Sequence, residues 1–278
     1  VYKITAENVK KTFKLKEYQK VNNNGTLSNE VEVLNGVDIN IISGEFLVIV
    51  GPSGCGKSVF LDIIAGLTDL NSGKVHHDNK LVEGPDLQTG YVFQQYALFP
   101  WRNALSNIEF GLETRGVSKE SRKKIALELL GIFGLSDFAD RFPYQLSGGM
   151  QQRVAIARSL ATNPDVLLMD EPFAALDAQT REILQNELIK IWEKTKPTVV
   201  FVTHSIEEAV FLADRVAVMT ARPGKIKEII EIDLPRPRSE DVRSTPAFAA
   251  NRERVWLALK DEVNKAQKDW ALASVYAR

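Results

Sequence analysis

Cysteine is nearly absent. The single residue, Cys55, excludes an internal disulfide in this 278-residue chain and fits a reducing cytosol. No apolar run approaches the roughly 18 residues that a membrane span requires, so any membrane contact is expected through a partner. Charge of one sign is also lacking: the formal net charge is −1, which leaves no basic footprint for nucleic acid. Val1-Tyr2-Lys3-Ile4 lacks the charged, apolar and small-residue zones of a signal peptide. Histidines are few, and the one cluster, His76-His77-Asp78, reads as an exposed hairpin turn rather than a metal site. No internal repeat is visible. The expectation is a soluble intracellular protein, long enough for one large or two small domains.

What is present is a complete phosphate-binding string. Residues 51–58 read Gly51-Pro52-Ser53-Gly54-Cys55-Gly56-Lys57-Ser58, the pattern G-x-x-x-x-G-K-S. The apolar run Phe46–Val50 precedes it and the helix-compatible stretch Val59–Leu67 follows. A strand feeding a glycine-rich turn into a helix start aims several backbone N–H groups and the positive end of a helix dipole at one spot. Lys57 then reaches the β- and γ-phosphates, and the Ser58 hydroxyl can bind magnesium. This context points to a nucleoside triphosphate.

A second element supplies acids. Val166–Met169 is a buried strand running into Asp170-Glu171-Pro172, which delivers both carboxylates to the sheet's C-terminal edge. Asp170 is placed for the magnesium shell, and Glu171 to polarise a water for in-line attack on the γ-phosphate. A third string, Leu146-Ser147-Gly148-Gly149-Met150, sets an N-cap serine and two glycines at a helix start, a second anion site without a lysine. The helix it opens should place Met150, Val154, Ala157 and Ala161 on one face.

The rest supplies the frame. Residues 1–13 read as a strand and 14–30 as a polar loop or insertion around Asn22-Asn23-Asn24-Gly25. Val31–Ile42 and Phe46–Val50 read as strands around a Ser43-Gly44 turn, 73–81 as a hairpin arm and 90–93 as a short buried strand. Residues 104–145 carry helical spacing only. Beyond 165, strands at 166–169, 198–203 and 215–219 alternate with helices at 178–194 and 205–212, which implies an α/β fold with a largely parallel sheet. Lys225–Leu234 alternates as a strand with Ile226, Ile230, Ile232 and Leu234 on one face. An amphipathic helix over 246–264 is expected to bury Phe248, Val255, Trp256, Leu259 and Val263.

With these motifs in this order, the chain resembles the nucleotide-binding subunits of ATP-binding cassette (ABC) transporters over nearly its whole length. The resemblance implies a P-loop NTPase cassette with a RecA-like core, an antiparallel β subdomain and an inserted α-helical subdomain at about 97–160. The ATPase domain would cover 1–235 and a helical extension 236–278. It also implies a head-to-tail dimer in which Ser147, Gly148 and Gly149 contact the γ-phosphate of ATP held by the opposite subunit. Gln94 matches the glutamine that senses magnesium and the attacking water, and His204 the switch histidine on the γ-phosphate. Asp177, in Ala174-Ala175-Leu176-Asp177, matches the aspartate that crosses the interface, and Phe13 the aromatic that stacks on adenine. The cofactors implied are ATP and Mg2+.

Two departures stand out. Val59 occupies the position where the family usually has a threonine that reaches the α-phosphate, and the 14–30 stretch is longer than usual. The segment Arg141-Phe142-Pro143-Tyr144-Gln145 resembles importers, and Leu98-Phe99-Pro100-Trp101 begins the groove that receives a permease coupling helix in the family. Ala221–Ile226, Asp233–Arg238 and the helix around Trp256 look like the nitrate, sulfonate and taurine importer ATPases, with bicarbonate transporters among their relatives. The resemblance therefore implies an energy-coupling ATPase at the cytoplasmic face of the inner membrane, serving permease subunits and, indirectly, an extracytoplasmic solute-binding protein. The competing readings are a non-transport ABC ATPase acting on nucleic acid or ribosomes, and a cassette that binds ATP without hydrolysing it.

Overall fold

The computed structural model describes residues 1–14, 20–21 and 27–276. The expectation for the 14–30 stretch lies largely outside the described residues. Within it, β2 (Lys20–Val21) and β3 (Leu27–Ser28) form a two-residue antiparallel ladder.

The first layer is antiparallel. Strand β1 (Tyr2–Lys14) pairs with β4 (Glu30–Ile42) on one side and with β6 (Ser72–His77) on the other, and β7 (Lys80–Leu81) closes the edge. The β6–β7 turn is the expected hairpin, with Asp78 and Asn79 both at positive φ. No group of three His, Cys, Asp or Glu among the described residues is arranged to hold a metal.

The Ser43-Gly44 turn joins two sheets rather than two arms of one. Beyond it, β5 (Phe46–Val50) enters a six-stranded sheet of order β12-β11-β5-β10-β9-β8. Its members are β8 (Thr89–Val92), β9 (Val166–Asp170), β10 (Thr198–Thr203), β11 (Arg215–Met219) and β12 (Ile226–Glu231). All pairs are parallel except β11–β12. Strands β5, β9 and β10 are buried along their whole length, as apolar runs covered on both faces must be.

The two faces carry separate cores. Phe46, Val48, Val50, Leu167, Met169, Val199 and Phe201 pack beneath the helices. Leu47, Ile49, Val166, Leu168, Val200 and Val202 pack toward α1 (Lys57–Ile64) and the antiparallel layer. Alternation along each strand therefore decides which face a strand-end side chain meets.

The helical insert comprises α2 (Ala104–Thr114) and α3 (Lys119–Ile132), capped by Asn103 and Ser118, followed by α4 (Gly148–Ala161). Met150, Val154, Ala157 and Ala161 all join the helix-side core as expected. After α5 (Ala178–Thr195) and α6 (Ile206–Leu212) the chain ends in α7 (Pro246–Tyr276). Among the described residues no helix is long and apolar enough to cross a membrane.

Two expectations about the tail are corrected. Ile226 does not share a face with Ile230, Ile232 and Leu234: it packs in the α1-side core with Ile229, whereas those three join the helix-side core. A register shift between Val218 and Met219 of the partner strand inserts one residue, which flips the faces around it. Trp256 is not on the buried stripe of α7 but is exposed. The covered positions are Phe248, Asn251, Val255, Leu259 and Glu262. Spacings of three and four carry the stripe past Trp256, and the buried Glu262 accepts a hydrogen bond from the Ala221 N–H at 3.0 Å. Burial of Phe248, Val255 and Leu259, each contributing roughly 1.5–3 kcal/mol, fixes the extension to the sheet.

Candidate functional site

The 51–58 loop is built from β5 and α1 as the sequence predicts. Gly56 caps the helix at φ 105°, and a Cβ there would meet the Leu34 and Val33 side chains at 2.7 and 2.9 Å. Only glycine fits both the dihedral and the space. Lys57 is buried, and its ammonium donates to the carbonyls of Gly51 at 2.9 Å and Pro52 at 3.0 Å. Those bonds arch the loop over its own lysine. Burial pushes the Cys55 thiol up despite the Lys57 charge, so it packs as a small apolar group. Arg222, between β11 and β12, steadies the loop from outside by donating from Nε and Nη2 to the Gly54 carbonyl at 3.0 and 2.9 Å. Val59 is half-buried against the α1-side core.

Asp170 lies on the α1-facing side of β9, in phase with Val166 and Leu168. There it accepts a hydrogen bond from Ser58 Oγ at 3.0 Å. Burial raises the Asp170 carboxyl above its ordinary value; Glu171 and Asp62 push the same way, against Ser58 and Lys57. A buried carboxylate held by one hydroxyl, with no cation in contact among the described residues, is a hard-oxygen pair that suits magnesium. That ion commonly takes one or two protein ligands and completes its shell with water and phosphate.

Glu171 leaves the strand at φ 44°, a left-handed conformation rare outside glycine, held by its N–H on the Val202 carbonyl at 3.0 Å. Its Oε1 lies 2.6 Å from His204 Nε2, and Gln94 Nε2 donates to its Oε2 at 3.5 Å. Burial raises the Glu171 carboxyl, but the His204 hydrogen bond and the His204 and Lys57 charges outweigh it and hold the group below its ordinary value. Glu171 is thus an ionised acceptor beside an imidazole and an amide, the arrangement a water-activating base requires.

The remaining expected residues lie on other elements. Ser147 caps α4 and accepts from the Met150 N–H at 3.3 Å. Gly148 lies under Tyr96, whose Oη stands 2.6 Å from where a Cβ would be. Asp177 caps α5 by accepting from the Thr180 N–H at 3.0 Å. Phe13 is exposed, with the Lys11 ammonium 4.9 Å from its ring centroid. Trp101 and Tyr144 are exposed too, and Trp101 packs on Phe99, whose ring meets that of Phe110 at a tilt of 59°.

Several residues escaped the sequence reading. Arg158 of α4 donates to the Ala97 carbonyl at 2.7 Å and to that of Tyr96 at 3.3 Å, tying the segment after Gln94 to the helix that Ser147 caps. Tyr91 donates to Asp62 at 2.7 Å, and burial together with that carboxylate drives its phenol far above the ordinary range. Buried Glu208 accepts hydrogen bonds from Thr203 and Gln185. The signal for Glu208 was its place one helical turn after His204.

A lysine and serine at a glycine-loop helix start, with a buried acid on the serine and an ionised acid at the next residue, define a phosphate-loop nucleotide triphosphatase site. Comparison with known proteins narrows the class. The ABC transporter family pattern matches residues 34–174. An uncharacterised ABC transporter ATP-binding protein of Methanocaldococcus jannaschii is 54% identical over 266 residues, covering 94% of this chain and 98% of that protein. A taurine import ATP-binding protein of Rhizobium johnstonii is 47% identical over 81% of this chain and 88% of its own length. For a nitrate import ATP-binding protein of Synechocystis sp. the figures are 45%, 84% and 87%. Among solved structures, the dimeric post-hydrolysis state of the ATP-binding cassette MJ0796, bound to ADP and phosphate, superposes with a TM-score of 0.72 at 38% identity, covering 84% of this chain and all of that one. This chain belongs to the ABC transporter family, as an ATP-binding ATPase subunit of the branch that includes the taurine and nitrate import proteins.

Proposed function

We propose that the protein is the energy-coupling ATPase of an importer for a small anion or sulfonate-like solute, of the nitrate, bicarbonate, sulfonate and taurine class. The observation that carries the catalytic part is the convergence of Gln94 and His204 on the two oxygens of Glu171, beside the Ser58–Asp170 pair. The names of the taurine and nitrate relatives support the solute class.

In this reading the loop N–H groups and Lys57 bind the ATP phosphates, and Ser58, Asp170 and Gln94 would hold a magnesium ion, which would supply positive charge against the phosphates. Phe13 carries the adenine. Glu171 accepts a proton from the attacking water through one carboxylate oxygen, while His204 and Gln94 orient that carboxylate and the γ-phosphate. Ser147, Gly148 and Gly149 act on the nucleotide of a second subunit, homologous or identical, and Asp177 lies at that interface. The dimeric cassette MJ0796 supports this arrangement. Exposed Trp101 and Tyr144 fit the groove for a permease coupling helix at the cytoplasmic face of the membrane. ATP binds the closed dimer better than the open one and so shifts the permease between its two states.

The test is phosphate release by the chain reconstituted in vesicles with a permease pair and a solute-binding protein. Stimulation by taurine, an alkanesulfonate, nitrate or bicarbonate, lost in Trp101→Ala, is the expected result. Activity independent of any permease or solute would overturn the transport reading.

A further inference from the structure

A buried polar relay runs from the C-terminal extension to the turn that carries His204. Thr203 points to the helix side of β10, in phase with Val199 and Phe201. Its Oγ1 donates to Glu208 Oε2 and accepts from the Ser205 N–H at 3.0 Å. Ser205 Oγ in turn accepts from the Glu208 N–H at 3.3 Å. Glu208 therefore holds Thr203 through its carboxylate, and Thr203 holds the backbone N–H of Ser205, so the two residues that flank His204 are joined to that carboxylate. Its other oxygen, Oε1, accepts from Gln185 Nε2 at 3.1 Å and stands 3.6 Å from Arg181 Nε.

Gln185 is only 2% exposed, so the way its amide faces depends on protein partners alone. Arg243 decides it. This residue lies in the 3-10 turn Glu240–Ser244 of the extension, and its Nη2 donates to Gln185 Oε1 at 2.5 Å. With the amide oxygen taken by a cation, the amide N–H must face Glu208. The guanidinium is itself fixed, 3.9 Å over the Phe211 ring, and the turn is pinned by Asn186 donating to Glu240 at 2.5 Å. Each bond has one polarity, from Arg243 to Gln185 to the carboxylate, with Thr203 donating from the other end.

A second branch leaves Glu208 through Arg181, whose Nη2 donates to the Leu176 carbonyl at 2.9 Å, one residue before Asp177. The same carboxylate thus stands between the His204 turn and the loop carrying Asp177.

We propose that Arg243 is a positioning residue for hydrolysis: by orienting Gln185 and Glu208 it sets the turn that presents His204 to Glu171. The inference rests on the role assigned to His204 above. It makes the C-terminal extension part of the ATPase and gives whatever moves that extension a route to the rate of hydrolysis.

The test uses the full-length chain and magnesium-ATP, with kcat, KM and melting temperature measured for Arg243→Met, Arg243→Lys, Gln185→Ala, the Arg243→Met/Gln185→Ala pair and His204→Ala. Methionine keeps an apolar stem over Phe211 and removes the donors. It should lower kcat about five- to tenfold, the size of one well-placed hydrogen bond, with KM within about twofold. Lysine should recover part of the loss, and the double variant should be no slower than the slower single one. If His204→Ala is impaired while Arg243→Met keeps its kcat within about twofold, the relay is overturned and the His204 assignment stands. A loss that follows the folded fraction, or that adds fully in the double variant, overturns it as well. If His204→Ala retains full activity, the His204 assignment fails, whatever Arg243 does.

Discussion

Glu171 Oε1 and His204 Nε2 stand 2.6 Å apart at the ends of the neighbouring parallel strands β9 and β10. Residues from two separate strands meet because parallel strands present their C-terminal ends on one edge of the sheet. Glu171→Gln removes the proposed proton acceptor and leaves the shape. The expected outcome is a fall in kcat of at least about a hundredfold with ATP binding retained, read by phosphate release beside nucleotide titration. The same pair fixes a pH dependence. The folded Glu171 carboxyl titrates below its ordinary 4.5, so its contribution to stability is present above that value and is lost as pH falls through the lower folded one. The melting-temperature gap between wild type and Glu171→Gln should narrow as pH falls below 4.5.

Asp170 has the opposite sign. Its folded carboxyl titrates above the ordinary 3.8, chiefly through burial, so ionisation at neutral pH opposes folding until a cation arrives. Asp170→Asn should raise the melting temperature without magnesium, by about 2–4 °C for each kcal/mol relieved, and should lose the further rise that magnesium-ATP gives the wild type. Thermal scans with and without magnesium-ATP check both halves.

Val59 lacks the hydroxyl that the family resemblance implies at this position for the α-phosphate. Val59→Thr should tighten ATP binding by about two- to tenfold, the range for one added hydrogen bond. Because Val59 packs on the α1-side core, the hydroxyl should also lower the melting temperature slightly. Calorimetric titration with ATP and a thermal scan read the two effects separately.

Gly148 and Tyr96 form a steric pair. A methyl group at 148 meets Tyr96 Oη at 2.6 Å but the ring carbon bearing it only at 3.6 Å. Gly148→Ala should therefore push the Tyr96 ring and slow hydrolysis by about three- to tenfold. Adding Tyr96→Phe removes the clashing atom and should restore most of the rate. Turnover of the four combinations checks this coupling.

The motifs with fixed spacing were legible because backbone geometry imposes them. A strand, a glycine turn and a helix cannot be rearranged without losing the Lys57 and Ser58 positions, and two acids after Val166–Met169 must emerge at the strand end. The Ser147 cap followed from local chemistry in the same way. What the sequence did not carry was long-range pairing. Arg243 looks like an ordinary surface charge, and Glu208 shows no more than its place one turn after His204, until α5, α6 and the extension pack together. Trp256 reads as core because local spacing alone cannot show that Glu262 takes the inward position, and Ile226 reads onto the face of Ile230 because the sequence does not show the bulge between them.

The left-handed backbone at Glu171 has a further consequence. An L-residue held there costs about 1–3 kcal/mol, so the fold carries a standing deficit at the one position that hydrolysis cannot leave to asparagine or glycine. At a pH low enough to have cancelled the carboxylate's own contribution, a library screened for heat resistance should enrich Glu171→Asn or Glu171→Gly, and the hardiest survivors would be the inert ones. Selection for durability and selection for turnover point in opposite directions at this single dihedral.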